Sequence, residues 1–126
     1  MSITSQGLRT IIYKVDDLKK AKSWYSKAFG SEPYFDEPYY VGFNIAGYEL
    51  GLLPEEKSGI KTENILTYWS VEDIVDAYDK MVSSGAKELE PPNDVGGGIR
   101  VALVKDPWHN VIGLIYNPHF SLESRE

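Results

Sequence analysis

A chain of 126 residues suits one domain, or two half-domains sharing a core, and at this size about two-thirds of the surface can be buried without covalent staples. It has no cysteine, which excludes disulfides, thiolate metal centres and a cysteine nucleophile. A net charge of −6 argues against nucleic acid or anionic membrane as partners, no apolar run reaches the roughly 20 residues of a membrane span and no signal-peptide pattern opens the chain, so a soluble cytoplasmic protein is expected.

Residues 8–15 form a β-branched run and predict a first strand. The stretch from Val15 to Gly30 then changes period. Leu18, Ala21, Trp24, Tyr25 and Ala28 recur at spacings of three and four, the spacing of one helix face. Asp16 or Asp17 suits the N-cap, and Gly30 supplies a stop. Residues 32–37, with Pro33 near their start, predict an edge strand. Residues 39–46 alternate, with Val41, Phe43 and Ile45 on one face and Tyr40, Gly42 and Asn44 on the other. Gly47 makes a tight turn, and residues 48–53 are the next strand, ending at Pro54. The order is β-α-β-β-β.

That order then repeats. Val15, Asp17, Leu18 and Ala21 are matched by Val71, Asp73, Ile74 and Ala77, an offset of 56 residues. A polar linker covers 55–62. Residues 65–71 predict a strand and 73–84 a helix, with Ile74, Ala77, Tyr78, Met81 and Val82 on its apolar face and Gly85 at its end. Residues 86–90 predict an edge strand that stops at Pro91 and Pro92, and 93–98 a mobile loop ending in three glycines. Strands at 99–104 and 111–116 flank a turn at 106–110, and 118–126 is a frayed tail. The expected fold class is α+β: one domain over 1–126, built from modules 7–54 and 63–117, whose curved mixed sheet surrounds a cleft with the helices on the outer face.

Two stretches carry a family likeness. The run from Tyr13 to Gly30 resembles the pattern V-x-D-L-x-x-A-x-x-F-Y-x-x-x-L-G, and the run from Gly97 to Tyr116, with Asp106-Pro-Trp-His-Asn110 at its centre, resembles G-x-x-x-x-x-x-D-P-x-G-N-x-x-x-L. With the repeated β-α-β-β-β order, these resemble the vicinal oxygen chelate superfamily of glyoxalase I, bleomycin-resistance proteins and ring-cleaving dioxygenases. The resemblance implies paired modules, often in a homodimer, and no single activity. Metal enzymes of that family carry four ligand positions, usually His, Gln or Glu. The resemblance places them here at Thr10, Glu49, Leu66 and Gly113. Leucine and glycine side chains cannot ligate, and one carboxylate does not make a transition-metal site, so no metal and no cofactor are expected.

Strand alternation gives the lining of the cleft: Thr10, Lys14, Tyr40, Asn44, Glu49, Leu66, Tyr68, Arg100 and Gly113, with Ala102 beside Arg100, while Trp69 goes to the helix side. Such a wall suits a small planar or polar organic ligand, including one with an anionic group. Glu49 is the candidate base, against the plainer expectation that it pairs with a cation across the strands. His109 and His119 read as solvated turn and tail residues, and Gly96 to Gly98 fail as a phosphate loop because no helix follows them. Three functions stay open: metal-free binding of a small organic molecule by sequestration, as in bleomycin-resistance proteins; a metal-dependent or metal-free lyase or dioxygenase-type enzyme; and a protein-interaction module.

Overall fold

A computed structural model gives the fold, describing residues 4, 8–55 and 66–120. The chain divides into two compact units, residues 1–60 and 61–126. The expected linker lies, from residue 56 on, outside the described residues, as do residues 121–126 of the tail.

The first unit holds β1 (Thr10–Val15), α1 (Leu18–Phe29), β2 (Phe35–Glu37), β3 (Tyr40–Ile45) and β4 (Tyr48–Pro54). Its sheet has the order β1-β4-β3-β2, with β1 parallel to β4 and the other pairs antiparallel. Asp17 rather than Asp16 caps α1, accepting from the Lys20 amide at 3.1 Å. The helix buries Ala21 and Tyr25 and lies against β3 and β4. On that face of the sheet Tyr13, Val15, Val41, Phe43, Leu50 and Leu52 are buried. The pairs Tyr13↔Leu52, Phe43↔Leu50 and Val41↔Leu52 put them together, because directly opposed residues share a face. The alternate residues form the helix-free face. An edge position for β2 follows from the order, as Pro33 led us to expect.

The β3–β4 hairpin closes on the pair Ile45↔Tyr48, leaving a two-residue turn. Ala46 and Gly47 both have positive φ, 53° and 92°, the condition for a type I′ turn. Alanine carries a Cβ penalty there of about 1 kcal/mol that asparagine largely escapes. Ala46→Asn is therefore expected to raise stability by about 0.5–1 kcal/mol, read as a higher thermal midpoint. A lower midpoint would count against the turn assignment.

The second unit repeats the plan with β5 (Tyr68–Ser70), α2 (Ile74–Ser83), β6 (Lys87–Gly96), β7 (Ile99–Lys105) and β8 (Val111–Tyr116), in the order β5-β8-β7-β6. Asp73 caps α2, accepting from the Asp76 amide at 3.0 Å. Ile74, Tyr78 and Met81 are buried against a sheet face made of Ala102, Val104, Ile112 and Leu114.

One strand departs from expectation. β6 does not stop at Pro91 but runs on to Gly96, so the expected loop over 93–98 shrinks to a turn at Gly97 and Gly98. Its place at the sheet edge is the reason. Proline has no N–H for a ladder, and Pro91 and Pro92 fall in the irregularity between Glu90↔Leu103 and Asn93↔Val101, where none is needed. Asn93 bridges that bulge, its Nδ2 donating to the carbonyls of Pro91 at 3.0 Å and Val101 at 3.3 Å.

The turn after β7 is built by Asp106, which is 3 % exposed. Its Oδ1 accepts from the amides of Trp108 at 2.9 Å and Asn110 at 2.8 Å, and its Oδ2 from Asn110 Nδ2 at 2.9 Å. His109 in this turn has φ 71°, the conformation for which the family pattern carries glycine.

Candidate functional site

The helix-free face of the first sheet carries the cluster of chemical interest. Thr10 and Glu49 are register partners on β1 and β4, and Thr10 Oγ1 donates to Glu49 Oε1 at 2.9 Å. The Tyr34 hydroxyl donates to Glu49 Oε2 at 2.5 Å, and the Tyr40 hydroxyl is hydrogen-bonded to the same carboxylate. Two opposed glycines, Gly42 and Gly51, make this geometry possible. A Cβ on Gly42 would lie 3.1 Å from the Tyr34 ring and 2.8 Å from Glu49 Oε2, and one on Gly51 would lie 2.8 Å from Tyr40 Cζ. A stretch of bare backbone thus lets both phenol rings lie flat on the sheet and reach the carboxylate. Phe35 extends the aromatic surface, its ring centroid 6.5 Å from Tyr34, 6.2 Å from Tyr39 and 6.0 Å from Tyr40.

These contacts set the protonation states. The hydrogen bond from Tyr34, with those from Thr10 and Tyr40, holds the Glu49 carboxyl below its ordinary 4.5 and outweighs the opposing effect of partial burial. Burial, reinforced by the Glu49 charge, pushes the Tyr40 phenol up to about 12. The hydrogen bond to Glu49 also raises Tyr34. A carboxylate with a lowered folded pKa contributes stability that is present above its unfolded value and lost as pH falls through the folded one. Glu49→Gln should therefore be less stable than the parent at pH 7, with the gap closing as the pH drops below 4.5. Denaturant unfolding of both proteins at pH 7 and pH 3 measures this, and a gap independent of pH would refute the assignment.

The remaining expected residues scatter. Lys14 is on the same face as Glu49, but four residues along β1 from Thr10, roughly 13 Å at strand rise. Asn44 stands opposite Glu49 but spends its Oδ1 on the Gly47 amide at 2.8 Å. Leu66 precedes β5 and is exposed. Tyr68 pairs with Gly113 and covers it: a Cβ on Gly113 would meet the Thr67 carbonyl and lie 2.7 Å from Tyr68 Cδ1.

Three expectations need correction. Arg100 and Ala102 do not share a face with Gly113, because the register pairs Gly113 with Leu103 and Ala102 with Leu114. Both therefore lie on the helix side, with Trp69, which pairs with Leu114. Among the described residues Glu49 meets no cation: the residues directly across from it are Thr10 and Asn44, and its partners are neutral hydroxyls. Glu49 is also not the counterpart of Gly113. Ile12 pairs with Gly51 as Tyr68, its repeat mate, pairs with Gly113, so the matching position in the first unit is Gly51. The implied metal positions become Thr10, Gly51, Leu66 and Gly113, and two of their four side chains are hydrogen atoms.

The histidines sit elsewhere: His109 is in the Asp106 turn, and His119 Nε2 lies 2.6 Å from the Gly97 carbonyl oxygen. Among the described residues no group of three His, Asp or Glu could hold a metal ion, and no helix is long and apolar enough to cross a membrane. Sequence reasoning missed Tyr34, which lies just before β2, outside the alternating pattern, tied by its amide to the Gly42 carbonyl at 2.9 Å. The available signal was the pair of glycines on one face of adjacent strands.

This architecture defines a class. A family profile for the Glyoxalase/Bleomycin resistance protein/Dioxygenase superfamily matches residues 7–114, and the chain belongs to that superfamily. Among solved structures, a glyoxalase-related enzyme from Fulvimarina pelagi is similar with a TM-score of 0.78 at 19% identity, over 95% of this chain and 94% of that one. A glyoxalase/bleomycin resistance protein/dioxygenase family enzyme from Burkholderia phytofirmans gives 0.72 at 18% identity, over 85% and 95%. A point mutant of the fosfomycin resistance protein FosX of Listeria monocytogenes, complexed with Mn(II) and 1S,2S-dihydroxypropylphosphonic acid, gives 0.73 at 17% identity, over 88% and 90%. At these identities the likeness is one of fold. Among curated proteins none matches significantly.

Proposed function

We propose that the chain is a metal-independent member of its superfamily that binds a small organic molecule on the helix-free face of its first sheet and acts by holding it. The observation that carries this reading is the Glu49 cluster: a carboxylate fixed by the Thr10, Tyr34 and Tyr40 hydroxyls beside aromatic rings, over a glycine floor. Few polar groups set among rings is the usual make-up of a small-molecule site. FosX binds Mn(II), but Thr10, Gly51, Leu66 and Gly113 offer one hydroxyl and no imidazole or carboxylate, a donor set that does not suit such an ion. Glu49 is better fitted to bind than to take a proton, because a carboxylate held below its ordinary pKa is a poor base at neutral pH. The assembly proposed is a homodimer, as in the family.

Metal content by mass spectrometry on untagged protein, followed by Zn²⁺, Ni²⁺, Fe²⁺ and Mn²⁺ titration, tests the metal-free part. A thermal-shift screen of small organic molecules, with hits mapped by amide shifts at Gly42 and Gly51, tests the site. The expected result is weak, substoichiometric metal and hits that move those two amides. Stoichiometric tight metal binding, hits that leave both amides unmoved, or steady turnover lost on Glu49→Ala would overturn it.

A further inference from the structure

The cluster also constrains what the ligand is. Glu49 has two oxygens with about four acceptor positions, and the Thr10, Tyr34 and Tyr40 hydroxyls occupy up to three of them. Those donors are neutral, so they fix the carboxylate without cancelling its charge. The two cations that sequence alternation sends to this wall do not answer it: Arg100 lies on the helix side of the second sheet, and Lys14 lies roughly 13 Å along β1 from Thr10. Around the negative charge stand aromatic surfaces that are far from covered. Tyr34 is 64% exposed, Tyr39 62% and Phe35 37%. Ring faces attract cations through their quadrupole. The chain as a whole is at −6, which adds a long-range pull of the same sign. An anionic ligand would meet the Glu49 charge directly, and a neutral one would leave it unanswered.

We propose that this site selects a small organic cation: an ammonium or amidinium group that meets the Glu49 carboxylate, on a planar apolar body that packs against Tyr34, Phe35 and Tyr40. This rests on the binding site proposed above and narrows its ligand. The three hydroxyl contacts that fix the carboxylate need no rearrangement to receive the cation. Tyr34 and Tyr40 keep their protons, since the carboxylate accepts from both, and present neutral rings.

The test uses calorimetry on the full chain with three probes of one shape: benzylammonium, benzyl alcohol and benzoate. Benzylammonium should bind about tenfold more tightly than benzyl alcohol, and benzoate less tightly than either. Glu49→Gln should remove that tenfold preference of benzylammonium over benzyl alcohol, with the fold of the variant checked by circular dichroism. In the parent, raising salt from about 50 to 500 mM should weaken benzylammonium alone, a control that needs no variant. Equal affinity for the three probes, or a cation preference that survives Glu49→Gln, overturns the inference. The Gly42 and Gly51 amide shifts separate the two levels. Benzyl alcohol that moves them without any preference for the cation sinks the inference and spares the site, whereas three probes that all leave them still sink both.

Discussion

Replacing Tyr25 with alanine is expected to cost about 3–5 kcal/mol, the range for removing a large aromatic from a packed core. Tyr25 is fully buried at the centre of the α1 face. Its ring stacks near-parallel on Tyr13 at 5.9 Å and on Phe29 at 6.0 Å, and meets Trp24 edge-on at 4.8 Å. No small shift of α1 can refill that space, since Leu50, Leu52 and Phe43 beneath the helix are already without exposed surface. The loss reaches the candidate site through one strand. Leu50 and Leu52 alternate with Glu49 and Gly51 on β4, so a void under the first pair frees the second. Hydrogen exchange should therefore rise most at the amides of β1, β3 and β4, and much less in residues 66–120. Tyr25→Phe, which keeps the ring, should retain most of the stability. A uniform rise across both units, or a loss under 1 kcal/mol for the alanine variant, would contradict this packing account.

How much of this was legible in the sequence depends on whether the signal was local. The helices were, because period and caps lie within a dozen residues: Asp17 and Asp73 cap where a free carboxylate precedes an apolar 3.6-residue pattern. The repeat fixed the order of elements and so the α+β class. The position of a strand within its sheet is not written locally. Pro91 and Pro92 look like a stop until β6 is known to be an edge with a bulge at that point. Face assignments failed for the same reason. Alternation sorts β7 into two sets, but only its pairing with β8 tells which set faces α2, and Arg100 fell on the wrong side.

The site was half legible. Thr10, Tyr40 and Glu49 were expected on one face, and the structure brings them together. Their partner Tyr34 was not, because its approach depends on a hydrogen bond to Gly42 and a ring lying across a strand two removed in space. Nor does residue type reveal that Glu49 is met by hydroxyls rather than a cation. That difference matters to the chemistry: an internal ion pair would neutralise a charge that the hydroxyls leave in place.

Asp106→Ala is expected to destabilise the chain by about 3 kcal/mol, because a buried acceptor is removed from two backbone amides and one side-chain amide at once. Each orphaned donor in a part-buried turn costs about 1 kcal/mol or more, and alanine offers nothing in return. Asp106→Asn keeps one oxygen for the Trp108 and Asn110 amides and should cost only about 1 kcal/mol. Equilibrium unfolding in urea gives both numbers, and an alanine variant within 1 kcal/mol of the parent would refute the assignment. The outcome bears on how family likeness is to be used. The stretch around Asp106 is among the strongest marks of the superfamily in this chain, yet the hydrogen bonds of its carboxylate to Trp108 and Asn110 close a turn between β7 and β8. It marks the superfamily because it holds two strands in register, which any activity on this fold requires. The positions that the family likeness implies for ligands include Gly51 and Gly113, which carry no side chain, and Glu49 lies one pleat away along β4. Membership of the superfamily therefore tells how the sheets are built, and what this one binds is a question for the probes aimed at the Glu49 cluster.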